Sequence, residues 1–90
     1  MKAYNVTIKG KVQGVWYRGW TQQQAQMLGI AGWARNLPNG DVQALFQGEE
    51  EQLEQLISLC FEGPDAARVS DVEKSPAELG AFEEFEILHN

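Results

Sequence analysis

Ninety residues, 43% apolar and 10% aromatic, are enough for one folded domain over residues 1–90 and too few for two. The net charge of −6 argues against a general nucleic-acid binder, and no apolar run approaches the ~20 residues of a membrane-spanning helix. A lone cysteine, Cys60, excludes an intrachain disulfide and fits a reducing compartment, so a cytoplasmic monomer without nucleic-acid or membrane partners is expected.

Tyr4, Val6 and Ile8 alternate with Asn5, Thr7 and Lys9, which predicts a half-buried strand and does not resemble a signal peptide. A glycine-bracketed loop, Gly10 to Arg18, comes next. Tyr17, Thr21, Ala25 and Leu28 then recur at helical spacing, widened by Trp20 and Met27, with Gly29 placed to end the helix. Ile30 to Asn36 and Asp41 to Gln47 read as strands joined by the turn Leu37-Pro38-Asn39-Gly40, a hairpin signal. Glu49-Glu50-Glu51 suits a helix N-terminus, and Leu53, Leu56, Ile57 and Cys60 form one apolar face that Gly63-Pro64 terminates. Ala67 to Lys74 is a further strand, Pro76 to Gly80 a connector, and Phe82 to Leu88 a possible short last strand. The order predicts an α+β fold: a ferredoxin-like split βαβ sandwich (βαββαβ), with an antiparallel sheet and both helices on one face.

All 13 acidic residues lie at or after Asp41, whereas the first 40 residues carry Lys2, Lys9, Lys11, Arg18 and Arg35 and no acid. The two parts thus hold about +5 and −11, a balance that suits a small anionic ligand and repels a polyanion. The Gly10–Arg18 loop supplies a place for that anion. A loop leading from strand to helix aims N–H groups at one point, the helix N-terminus adds partial positive charge, and Arg18 offers a charged fork matched to phosphate oxygens. Lys11 and Arg35 contribute surface field.

The missing groups narrow the chemistry. His89 is the sole histidine and reads as a solvated terminal residue, so no metal is expected. Cys60 on an apolar helix face reads as a structural thiol, and Thr21 has no base beside it to activate it. Such a site has no means of protonating a poor leaving group, but a carboxylate, with a conjugate-acid pKa of about 4, leaves readily. The substrate that fits is an acyl phosphate. Asn36 can orient a water through its neutral amide, although a plain turn role before Leu37-Pro38 fits local sequence equally well. A non-catalytic anion-binding module on the same sandwich, and an RNA-binding sandwich, remain as other classes; the acidic later strands speak against the second.

Gly10-Lys11-Val12-Gln13-Gly14-Val15-Trp16-Tyr17-Arg18 resembles the first signature of the acylphosphatase family, G-x-V-Q-G-V-x-[FY]-R, at every fixed position. Gly32-Trp33-Ala34-Arg35-Asn36, then Gly40, Val42 and Gly48, resemble its second signature in the same spacing. The resemblance implies hydrolysis of a small acyl phosphate to a carboxylate and inorganic phosphate, without metal or cofactor. It implies that Arg18 binds the phosphate and Asn36 positions the attacking water. Backbone N–H groups of Gln13, Gly14, Val15, Trp16, Tyr17 and Arg18 would complete the phosphate nest, and the phosphate would help take the water's proton. The ending Ile87-Leu88-His89-Asn90 lacks the arginine and aromatic residue that close many family members, which leaves a contact between the chain end and Arg18 open. Trp16 and Trp20, flanking the loop, read as packing.

Overall fold

The computed structural model describes residues 1–89. Seven elements follow in chain order: β1 (Lys2–Lys11), α1 (Tyr17–Leu28), β2 (Ala31–Asn36), β3 (Val42–Gly48), α2 (Glu50–Cys60), β4 (Arg68–Pro76) and β5 (Phe85–Leu88). They build one five-stranded sheet in the order β4-β1-β3-β2-β5. The four long strands pair antiparallel, as alternation and the hairpin turn imply. The short fifth strand is present but runs parallel to β2, with Gly32 opposite Phe85, so the sheet is mixed rather than wholly antiparallel. Its direction follows from the path before it, which no local pattern encodes.

That path crosses from one sheet edge to the other. The Ala77 N–H donates to the Ala3 carbonyl at 3.0 Å, and the Gln47 side chain both accepts from the Gly80 N–H at 2.8 Å and donates to its carbonyl at 2.9 Å. Gln47 is only 6% exposed as a result, a buried polar group whose hydrogen bonds offset its lost hydration. The Gly32 N–H then donates to the Glu84 carbonyl and sets β5 beside β2.

Both helices cover one face. Val6, Ile8, Ala34, Val42, Ala44, Phe46 and Phe85 meet Tyr17, Ala25, Leu53, Leu56, Ile57 and Cys60 in a single core. Met27 departs from the expected stripe and is 80% exposed, because the buried face of α1 runs through Tyr17, Thr21 and Ala25. Gly29 ends α1 in the left-handed conformation, as a C-terminal glycine should. Near the end of β1 the register shifts between Lys9 and Gly10. A Cβ on Gly10, at φ 121°, would run into the Arg68 carbonyl, so only glycine fits where β1 hands over to the loop.

Candidate active site

The loop between β1 and α1 departs from regular structure at two points. Gly14 has φ 74°, and Trp16 has φ 66°, a left-handed conformation that is costly for a bulky side chain. Trp16 is the residue before α1, with no side-chain cap on the helix and no acid in its first turn. The first helical bond runs from the Trp20 N–H to the Trp16 carbonyl. Among the described residues, no backbone N–H from Gln13 to Gly19 donates to a backbone carbonyl outside the loop or within it. The N–H groups that open α1 sit where the helix dipole is positive.

Trp16, read from sequence as packing, is 59% exposed. Its indole lies over Gly19, where a Cβ would collide with the ring, so the glycine inside the first turn of α1 makes room for it. Trp20 does pack against the core, 5.4 Å from the Tyr17 ring centroid. Tyr17 is buried and donates its hydroxyl proton to the Cys60 carbonyl at 2.6 Å, which anchors the start of α1 to the end of α2. Val15 packs partly buried against the core. Thr21 bonds back to the Tyr17 carbonyl at 2.8 Å and is buried, a packing residue as expected. Burial pushes the Cys60 thiol up to about 12, so it is not a nucleophile at neutral pH.

Gln13 links this loop to the β2–β3 turn. Its Nε2 donates to the carbonyls of Leu37 and Asp41, both at 2.8 Å. The turn is closed by its own bonds, Leu37 N–H to Asp41 carbonyl at 2.8 Å and Gly40 N–H to Leu37 carbonyl at 3.1 Å, with Gly40 at φ 97°. Asn36 is the last residue of β2, paired with Val42, immediately before that turn.

Arg18 and Asn36 come together in one cleft of about 280 Å³, lined also by Val12, Gly14, Trp16, Tyr17, Gly19, Ile87 and His89. Both residues also line an adjoining hollow of about 310 Å³ with Leu37, Pro38 and His89. Among the described residues, neither lining contains an Asp or Glu side chain. A larger hollow of about 650 Å³ lies between α1 and β5, but Glu83, Glu84 and Glu86 line it, which makes it repel an anionic substrate. The Arg18 guanidinium donates through Nη1 to the Leu88 carbonyl at 3.2 Å. The last strand therefore touches Arg18 through the main chain of Leu88. His89, read as a stray terminal residue, stands exposed on the cleft wall because β5 runs beside β2. Arg35 is turned to a different task, donating to Gln43 at 2.8 Å and lying over the Trp33 ring.

The family model described as Acylphosphatase matches residues 4–87. The chain belongs to the acylphosphatase family. It is 53% identical over 76 residues to an acylphosphatase from Rhodospirillum rubrum, a span covering 84% of each chain. It is 48% identical to one from Geotalea uraniireducens, covering 93% of each. The structure is similar to the crystal structure of acylphosphatase from Bacillus subtilis, with a TM-score of 0.96, 29% identity, and coverage of 99% of this chain and 100% of that one. The reaction of the acylphosphatase family, hydrolysis of acyl phosphates, makes this chain a hydrolase acting on acid anhydrides, with a small acyl phosphate as substrate and phosphate as product.

Proposed function

We propose that the β1–α1 loop and Arg18 hold the phosphoryl group of the acyl phosphate while Asn36 orients the attacking water. The observation that supports this most is the shared cleft, in which Arg18 and Asn36 stand together beside a helix N-terminus that has no cap and no acid of its own. Left-handed residues at Gly14 and Trp16 suit a loop whose successive N–H groups, from Gln13 through Arg18, face an anion. The bond from Arg18 to the Leu88 carbonyl leaves the rest of its fork for phosphate oxygens and limits the swing of the side chain.

In the step itself, a water oxygen attacks phosphorus and the bond from phosphorus to the bridging oxygen breaks. The electron pair leaves on the carboxylate, and the water proton passes to a phosphoryl oxygen. A carboxylate needs no acid to leave, so the work falls on positioning and on charge stabilisation at the phosphoryl oxygens. On this reading the reaction needs neither metal nor cofactor. We read the chain further as one domain acting as a cytoplasmic monomer, without nucleic-acid or membrane partners; the buried thiol of Cys60 and the acidic residues of the later strands support this.

The test is a substrate panel with chelator present. Acyl phosphates should lose their anhydride while simple phosphate monoesters, whose alkoxides leave poorly, survive. Equal turnover of monoesters, or activity that chelator abolishes, would overturn the reading.

A further inference from the structure

We propose that the side chain of Gln13 is a positioning residue that fixes Asn36 relative to the phosphate loop. The inference rests on the reading of Asn36 as the water-orienting group. Asn36 is carried on the last residue of β2, so its placement depends on the turn that follows. The Gln13 amide reaches across 24 and 28 residues of sequence into that turn. Its two N–H bonds, each 2.8 Å between heavy atoms, go to the Leu37 and Asp41 carbonyls. These are the same two oxygens that accept the bonds closing the turn, from the Gly40 and Leu37 N–H groups.

The chemistry of the side chain fits the task. A primary amide offers two donors from one nitrogen, enough to hold two carbonyls at once without adding charge. Gln13 also stands one residue before Gly14, where the loop turns left-handed, so its backbone belongs to the phosphate-facing segment and its side chain to the hairpin. The same residue thus joins the two halves of the site. A displacement near 1 Å between such halves can cost about 10²-fold in rate.

The experiment uses Gln13→Met, which keeps the length of the side chain and removes both donors. Kinetics with an acyl phosphate should show kcat lowered by about tenfold or more, with the inhibition constant of inorganic phosphate within threefold of the unsubstituted protein. In an Asn36→Ala background the same change should cost less than threefold, because the group it positions is already gone. A kcat reduced less than tenfold, a phosphate constant that weakens in step with kcat, or the full loss in the Asn36→Ala background would each overturn the proposal. Should Gln13→Met not fold, Gln13→Asn, one methylene too short to reach both carbonyls, is held to the same three readouts. Undiminished turnover in Asn36→Ala alone removes the reading of Asn36 beneath this inference. An impaired Asn36→Ala with an unimpaired Gln13→Met removes only the inference.

Discussion

The two helices begin in opposite ways. Neither has a side-chain cap, and each makes its first bond to the residue before it, Trp20 to Trp16 in α1 and Leu53 to Glu49 in α2, both at 3.0 Å. Both therefore face the same problem of orphaned N–H groups and a positive dipole end. At α2 the chain answers it internally. Glu49 stands in an extended conformation before the helix, and Glu50 and Glu51 fill its first turn. At α1 the preceding residue is a left-handed tryptophan, the first turn holds no acid, and the second helical residue is Arg18. Among the described residues, one end carries its own negative charge, while the other holds no acid in its first turn and an arginine at its second position, an arrangement that favours an anion.

The contrast is sharpened most by Arg18→Ala. It should lower turnover of an acyl phosphate by ~10²–10³, about 3–4 kcal/mol of transition-state stabilisation, while circular dichroism and melting show the fold retained. Asn36→Ala should come next, at about 10²-fold in kcat with phosphate inhibition nearly unchanged. Trp16→Asp would make α1 resemble α2 by building an anion into its start. Phosphate affinity should then fall about tenfold or more, with the melting temperature held or raised, since aspartate tolerates the left-handed conformation better than tryptophan does. An unchanged affinity would break the comparison.

The buried contact between the start of α1 and the end of α2 predicts a different behaviour. Burial raises both the Cys60 thiol, to about 12, and the Tyr17 phenol. The unfolded chain releases the thiol proton near 9.0, before the native state does, so stability is full below that pH and declines as pH rises from about 9 towards 12. Urea midpoints measured across this range should fall, and a thiol reagent at pH 8 should label Cys60 only after denaturation. The smallest effect belongs to Glu51→Gln, which removes part of the internal charge at α2. It should lower the melting temperature by about 1–4 °C and leave turnover unchanged.

The reach of the sequence follows the same division. The elements with local signals were legible: Gly29 at the end of α1, Pro38 to Gly40 in the hairpin, and the apolar face of α2. The glycine-bracketed loop between β1 and α1 was legible because its residues lie together in the chain. What stayed hidden depended on distant pairing. The parallel direction of β5, the clasp of Gln47 on Gly80, and the carbonyl of Leu88 on Arg18 join residues 33 to 70 positions apart. Gln13 stood within the first signature and was read for its N–H, while its side chain had no partner that local spacing could name. His89 came to the cleft only because β5 runs beside β2.

The most direct test is a titration of 15N-labelled protein with inorganic phosphate, followed by amide shifts. The account predicts the largest changes at residues 13–19, little at residues 49–53, and loss of the response in Arg18→Ala. Shifts centred on the start of α2, or an undiminished response in Arg18→Ala, would contradict it.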